Sequence, residues 1–170
     1  GISVGLFLSG SHFNEVRERT FAEVLQLATD LGVRENLFYE GYVANDDMAA
    51  VYAEAVALVM PTFFGPTNLP VIEAWSAGCP VLTSNIRGIR EHAGDAALLC
   101  DPLDASAIAT GLFRLWTNEG LRGELREKGY RRLEVFSPQG YKARLRDIVS
   151  SSVAVFEAQR DLESNVSTGT

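Results

Sequence analysis

The chain has 170 residues, 46% hydrophobic and 22% charged, a balance that suits one globular domain with a sizeable core. Its net charge of −7 argues against a nucleic-acid-binding protein, which needs a basic face to neutralise phosphates. The most apolar stretch is interrupted by Glu54 and Pro61, so it does not read as a membrane span.

Strand-length apolar runs alternate with segments of helical periodicity along the chain. The first run, at 2–10, is nearly continuous and predicts a strand buried on both faces. In chain order we then predict a helix at 15–31, a strand at 37–39, a helix at 46–54, a strand ending at Pro61, a helix at 69–77, a strand at 79–84, a short helix within 85–94, a strand at 96–102, and helices from 104, 119 and 137.

This alternation is typical of βαβ units and predicts an α/β fold, a Rossmann-like three-layer α/β/α arrangement with a parallel sheet. We assign residues 1–158 to this domain and expect the polar tail at 159–170 to be disordered. Ligands of such sheets bind beyond the carboxyl ends of the strands.

Cysteine usage and the N-terminus bear on location. Cys79 and Cys100 lack metal-ligand spacing, so we interpret them as buried apolar residues in a reducing compartment. No secretory signal is recognisable, and we therefore expect a cytoplasmic protein.

The stretch PTFFGPTNLPVIEA, at 61–74, leads from a strand through an irregular turn into a helix. A helix N-terminus directs free N–H groups and positive potential at one place, which favours a phosphate. Gly65 allows close approach, Thr67 and Asn68 can add hydrogen bonds, and Pro70 fits the first turn. Glu73 can accept two hydrogen bonds from a ribose diol. The alternative is structural: an ordinary turn, Asn68 as a helix cap, and a glutamate favoured by the helix dipole; spacing alone does not decide between them.

At this turn the sequence resembles the C-terminal half of retaining GT-B glycosyltransferases of the family 4 (group 1) type. The strongest segment is NLPVIEAWSAGCPVLTSNIRGIREHAGDAALLCDP, which is similar to the family's Gly-Leu-Pro-x-x-Glu-Ala stretch, its Gly-x-Pro-Val strand and its later Gly-Asp-Ala…Asp-Pro. LFLSGS and LFYEGYVANDDMAAVYAEAVALVMPT resemble the preceding strands and loops. The resemblance extends to about Val149 and implies one half of a GT-B fold.

The resemblance implies a donor site for a nucleotide diphosphate sugar. In the family's Glu-x7-Glu pattern, Glu73 matches the second glutamate, which contacts the ribose, whereas Gly65 stands at the first. Because the first glutamate usually helps to hold the donor sugar, the sugar contact is left open between Thr67, Asn68 and a different mode. The donor-binding residues predicted are Gly41, Tyr42 and Val43 near the base, and Gly65, Pro66, Thr67, Asn68, Leu69, Pro70 and Glu73. Tyr42 fits a packing role equally well.

The resemblance also implies a partner: an N-terminal acceptor-binding domain, to which any peripheral membrane contact would be restricted. The segment that supplies the family's phosphate-binding Arg and Lys would precede Gly1, so we expect this chain alone to be inactive, and no catalytic residue is assigned. No metal or other cofactor is implied. We interpret several further polar residues as packing, surface or helix-start residues rather than ligands: His12, Asp46, Asp47, Arg87, Arg90, Glu91 and His92.

Two other functions are considered beside the transferase. One is a non-catalytic Rossmann-like scaffold with a degenerate donor site, which Gly65 favours and Glu73 opposes. The other, weaker one is a nucleotide-sugar epimerase of the same two-domain architecture.

Overall fold

The computed structural model describes residues 4–10, 14–65 and 68–167, with side chains through residue 158. The predicted alternation of strands and helices is confirmed. In chain order the elements are β1 (Leu6–Leu8), α1 (Glu15–Asp30), a 3₁₀ turn (Arg34–Asn36), β2 (Leu37–Tyr39), α2 (Asn45–Glu54), β3 (Leu58–Met60), α3 (Leu69–Ser76), β4 (Val81–Ser84), α4 (Ile89–Ala93), β5 (Leu98–Cys100), α5 (Ala105–Thr117), α6 (Glu119–Phe136) and α7 (Pro138–Ser167).

All the strand pairings are parallel, as predicted for an α/β fold. The chain forms two compact units, Gly1–Val51 and Tyr52–Thr170. The first contains the pair β1–β2, with Leu6 opposite Leu37. The second contains a sheet of order β3-β4-β5, with Leu58 opposite Val81 and Leu82 opposite Leu98.

The prediction that the first strand is buried on both faces is wrong for its described part. β1 is only three residues long, and Leu6 and Phe7 are 47% and 42% exposed. In this unit β1 pairs with β2, and α1 packs through Phe21, whose ring centroid lies 4.5 Å from that of Tyr39. A pair of strands with one helix can bury only part of its surface.

The core of the second unit is centred on β4, whose four residues are all buried. Leu82 packs with Cys100, Leu115 and Leu125. Helix α5 comes close to β4 at Gly111, where a Cβ atom would lie 2.7 Å from Leu82 Cδ1. Glycine therefore sets how closely this helix approaches the sheet.

Helix α3, which follows the turn after β3, packs against α6. A Cβ atom at Gly129 would lie 2.6 Å from Trp75 Cδ1, so the two helices meet at a glycine. Trp75 is buried and its Nε1 donates a 3.0 Å hydrogen bond to the Ala96 carbonyl. Arg126 Nε donates to the Gly78 carbonyl at 2.8 Å, just after α3 ends. These contacts fix the position of α3 and thus of its N-terminus.

The C-terminal helix α7 continues through Ser167, the last described residue. The disorder expected for 159–170 stays a prediction. The stripe formed by Tyr141, Leu145, Ile148 and Val149 is exposed in this chain. Within the described part of the chain, no helix is both long and apolar enough to cross a membrane. Cytoplasmic location stays a prediction.

The two cysteines behave as small core residues. Both Cys79 and Cys100 are buried and unpaired, as predicted. Burial raises the pKa of the Cys79 thiol to about 11, so this group is a thiol and not a nucleophilic thiolate at neutral pH.

Candidate functional site

Two turns lie side by side at the carboxyl ends of β3 and β4, the edge at which ligands of parallel sheets bind. Side chains at the end of β4 tie them together. Thr83 Oγ1 donates a 3.1 Å hydrogen bond to the Met60 carbonyl, and Ser84 Oγ donates one of 2.6 Å to the Thr62 carbonyl. Thr62 Oγ1 in turn donates to the Phe64 carbonyl at 2.6 Å. The first turn is therefore anchored on the neighbouring strand.

A cleft of about 360 Å³ opens between these turns. Its lining comes from the two turns, from the residue that precedes α3 and from α4: Phe63, Phe64, Gly65, Asn68, Ile86, Arg87, Gly88 and His92. The two phenylalanines are mostly exposed, Phe64 at 80%. Arg87 is exposed and forms no ion pair with a described residue. The cleft thus combines two exposed aromatic rings with the Arg87 cation, which also helps to lower the pKa of the Glu91 carboxyl.

Asn68 stands at the N-cap position of α3 in an unusual conformation. Its φ of 41° and ψ of 38° are left-handed, a region that Asn tolerates better than most residues. Its carbonyl accepts from Val71 N at 3.0 Å, but its side chain makes no capping hydrogen bond. The side chain is instead buried, with the residue 5% exposed, and Oδ1 has no hydrogen-bond partner among the described residues. The structural alternative, a capping side chain, is therefore not what the structure shows.

The side-chain amide of Asn68 lies directly beside Gly65. A Cβ atom at Gly65 would lie 2.5 Å from Asn68 Oδ1, closer than such contacts occur. A side chain at 65 would therefore displace the Asn68 amide from its position. The Asn68 amide therefore lies where a side chain at 65 would begin.

His92 enters the cleft from α4. Its ring stacks on Phe136, with centroids 4.5 Å apart, and on Trp75, at 5.8 Å. Its Nε2 is buried and has no hydrogen-bond partner among the described residues. Burial lowers the pKa of His92, and nearby Arg132 lowers it further, so the imidazole is neutral at pH 7. The sequence left His92 open between packing and solvent exposure; in the structure its ring packs, and the residue also contributes to the cleft lining.

Glu73 lies one turn further along α3, on the exposed surface, and is not part of the cleft lining. Tyr52 Oη donates a 3.2 Å hydrogen bond to Glu73 Oε2. Burial, with the adjacent Glu73 carboxylate, raises the pKa of Tyr52 to about 12, so the phenol remains protonated and acts as the donor. Tyr52 therefore orients one carboxylate oxygen of Glu73.

The remaining predicted residues are distributed as follows. Leu69 and Pro70 form the first turn of α3, as predicted. Pro66, Thr67 and His12 lie outside the described residues. Residues 41–43 belong to the first unit, where the Gly41 carbonyl accepts from Gly10 N at 2.7 Å. Tyr42 is 74% exposed, which leaves it accessible and does not fit a packing role within this chain.

Glu91 serves the local helix start. Its Oε2 accepts from Gly88 N at 2.5 Å, and hydrogen bonds from the backbone N–H groups of Glu91 itself and of Gly88 hold its pKa below the usual value.

Asp46 and Asp47 lie in the first turn of α2, as predicted. No group of three or more metal-ligating side chains occurs within the described residues.

Sequence reasoning missed most of the second turn. Ile86, Arg87 and Gly88 line the cleft, although only Arg87 was considered, as a surface residue. The available signal was that this turn, like the first, follows the carboxyl end of a buried parallel strand.

The parallel strands, the helices between them and the cleft at the strand ends form a Rossmann-like α/β domain, and solved structures of GT-B type share this fold. Sucrose-phosphate synthase from Thermosynechococcus elongatus superposes with a TM-score of 0.72 at 22% identity, over 88% of this chain and 39% of that one. Anabaena HepE, solved in complex with UDP-glucose, superposes with a TM-score of 0.74 at 18% identity, over 87% and 41%. At these identities the likeness concerns the fold.

Sequence comparison identifies the family. Residues 6–118 match the model of the glycosyl transferases group 1, and the chain belongs to this family. The O-antigen chain mannosyltransferase B of Escherichia coli is 34% identical over 116 residues, which are 68% of this chain and 30% of that protein. The chain therefore spans under a third of the length of this relative.

Proposed function

We propose that this chain is the donor-binding half of a retaining glycosyltransferase, which transfers a sugar from a nucleotide diphosphate sugar to an acceptor. The observation that carries the proposal is the cleft between the two turns, where the α3 N-terminus and the exposed Arg87 side chain accompany buried polar atoms. Its volume of about 360 Å³ falls within the range of about 300–1,000 Å³ found for small-molecule sites.

Electrostatics favour the diphosphate of such a donor. The dipole of α3 creates positive potential beside the cleft. Pro70 has no N–H, and the N–H groups of Val71 and Ile72 already donate to the Asn68 carbonyl, so the dipole and not a set of free N–H groups is the contribution of this helix. Arg87 adds a guanidinium, which suits phosphate oxygens. These groups would stabilise the negative charge that develops on the departing diphosphate. We propose no resident metal or cofactor for this step.

Glu73 supplies the ribose contact in this proposal. Its Oε2 is already oriented by Tyr52, so the carboxylate can accept hydrogen bonds from a diol with little loss of side-chain freedom. Because Glu73 does not line the cleft, the ribose would lie along α3 while the diphosphate and sugar occupy the cleft.

Relatives support the nature of the donor. One is a mannosyltransferase, and one structural neighbour was solved with UDP-glucose. Acceptor binding is proposed to reside elsewhere in the full-length enzyme, because this chain corresponds to 30% of its mannosyltransferase relative.

The alternative is a non-catalytic scaffold with a degenerate donor site, and Gly65 was the feature in its favour. The Asn68 amide lies in the space beside Gly65, so a polar group is present there, which supports the donor-binding proposal over the scaffold.

Calorimetric titration with UDP, GDP and ADP tests the proposal. We expect saturable binding of one nucleotide, weakened at least several-fold by Glu73→Ala, because the ribose loses its acceptor. Glu127→Ala, which removes an exposed carboxylate from α6, is the matched control and should bind like the wild type. Binding of no nucleotide would contradict the proposal, and an unchanged affinity of Glu73→Ala would contradict the ribose role.

A further inference from the structure

The side chain of Arg132, on α6, holds the carboxyl end of α4. Its Nε donates a 2.9 Å hydrogen bond to the His92 carbonyl, and its Nη2 donates to the Glu91 carbonyl. The last carbonyls of a helix have no donor within that helix, and the helix dipole favours a cation beside them. The guanidinium therefore supplies two hydrogen bonds and a positive charge at the place where α4 requires them.

Aromatic contacts reinforce this attachment. Arg132 Cζ lies 5.7 Å from the ring centroid of Phe136, the last residue of α6. The Phe136 ring stacks on the His92 ring, with centroids 4.5 Å apart, and His92 stacks in turn on Trp75 of α3. Helix α4 is thus attached to α6 both through its backbone and through a side chain.

Helix α4 depends on such contacts for its orientation. It has five residues, and the glycines on either side have a positive φ, 86° at Gly88 and 56° at Gly94. A helix this short has little stability of its own, because nucleation costs more than so few hydrogen bonds return. The buried side chains of Ile89 and Ala93 hold one face of α4, and the Arg132 hydrogen bonds fix its carboxyl end.

The amino end of α4 follows directly on the second turn of the cleft, where Arg87 and Gly88 belong to the lining. Five residues of helix span only about 7.5 Å, so a shift at one end is transmitted to the other. We propose that Arg132 is a positioning residue: by holding the carboxyl end of α4, it places Arg87 for contact with the diphosphate of the donor. This inference rests on the proposed function and adds to it a residue outside the cleft lining.

Calorimetric titration with UDP, GDP and ADP tests the inference in variants of this chain. Arg132→Met keeps an unbranched side chain but removes the charge and every hydrogen-bond donor. Its affinity for the nucleotide that the wild type binds should fall about three- to fivefold, because a binding residue needs supporting contacts to stay in its productive position. Arg132→Lys retains the charge and a donor, so its affinity should lie between those of Arg132→Met and the wild type.

Arg122→Met is the matched control. Arg122 also lies on α6 and is half-buried like Arg132, and its Nη1 donates to the Leu115 and Trp116 carbonyls in the last turn of α5. The control therefore removes the same kind of contact from a helix that does not line the cleft. Stability should fall in both variants, but affinity only in Arg132→Met. Thermal unfolding measures the stability, and every titration is performed below the unfolding midpoint.

A double-mutant cycle tests whether Arg132 acts through Arg87. Arg87→Gln removes the proposed phosphate contact, so in that background Arg132→Met should cause no further loss of affinity. If the two losses multiply instead, Arg132 does not act by placing Arg87. Where Arg132→Met does not fold, Arg132→Lys takes its place in the cycle.

NMR titration of His92 measures independently whether the contact forms in solution. The chain has two histidines, and the imidazole signal of His92 is identified by its absence from His92→Phe. Burial and, to a smaller extent, the Arg132 cation lower the pKa of His92. Arg132→Met should therefore raise this pKa, whereas Arg132→Lys and Arg122→Met should not. An unchanged pKa in Arg132→Met would show that the guanidinium does not lie beside α4, and would overturn the inference.

The outcomes separate this inference from the proposed function. Wild-type protein that binds no nucleotide overturns the proposed function and the positioning role with it. Wild-type protein that binds a nucleotide, with Arg132→Met no weaker than Arg122→Met, overturns the positioning role alone. A loss that is specific to Arg132→Met, partly restored in Arg132→Lys and absent in the Arg87→Gln background supports it.

Discussion

The hydroxyl of Tyr52 donates a 3.2 Å hydrogen bond to Oε2 of Glu73, joining the last turn of α2 to the middle of α3. Tyr52 is itself buried, so its ring is fixed by packing while its hydroxyl reaches an exposed carboxylate. The relationship gives Glu73 a defined orientation that an exposed glutamate on a helix would otherwise lack.

Tyr52→Phe should weaken nucleotide binding about two- to fivefold while preserving the fold. The phenyl ring keeps the packing, but Glu73 regains side-chain freedom that binding must then remove. Calorimetry with the nucleotide that the wild type binds measures the effect. Tyr141→Phe, which removes a hydroxyl from the exposed face of α7, is the control. Equal affinities of Tyr52→Phe and the wild type would show that the hydrogen bond does not contribute to binding.

Tyr52 also predicts a pH dependence of stability in the alkaline range. Its pKa rises from 10.0 to about 12 on folding, chiefly through burial, so folding favours the protonated phenol. The associated stability is fully present below the unfolded pKa and is lost as pH rises through the folded value. Thermal unfolding measured from about pH 9 to 12 should show a steeper decline for the wild type than for Tyr52→Phe. Parallel curves would rule out this contribution. Cys79, whose pKa is also raised, remains in both proteins, so the difference between the two curves reports on Tyr52 together with its interaction with Cys79.

Arg87→Gln should reduce affinity for a nucleoside diphosphate and for its sugar conjugate by the same factor, about tenfold, because a charge-assisted contact to the shared diphosphate is lost. The loss should shrink at high salt, which screens the wild-type interaction. Arg90→Gln is the matched control, since Arg90 is an exposed neighbour outside the cleft lining. A loss confined to the conjugate would place Arg87 at the sugar instead.

Gly129→Ala should destabilise the protein by about 1–3 kcal/mol, because the added methyl group overpacks the contact between α6 and Trp75. Gly123→Ala, on the same helix with open space around the new atom, should be neutral or stabilising by up to about 1 kcal/mol. Denaturant unfolding of the two variants gives the comparison. If Gly129→Ala is as stable as Gly123→Ala, the close approach of the helices is not required.

Local signals allowed the elements to be predicted from the sequence. Asp104 was expected to open a helix, and its Oδ1 accepts from Ser106 N and Ala107 N. A helix was expected from 137, and Ser137 Oγ accepts from Gly140 N at the start of α7. These predictions succeeded because a cap involves residues two or three positions apart, so that sequence and structure carry the same information.

The sequence by itself thus determined the alternating α/β order, the turn that precedes α3 and the family resemblance that the comparison confirmed. Only the tertiary structure decided that β1 would be exposed, that the turn after β4 would share the cleft, and that Asn68 and His92 would each bury a polar atom there. The physical reason is distance along the chain. Asn68 and His92 are brought to one cleft by the pairing of β3 with β4, and neither burial nor an unmade hydrogen bond can be read from the residues around either one.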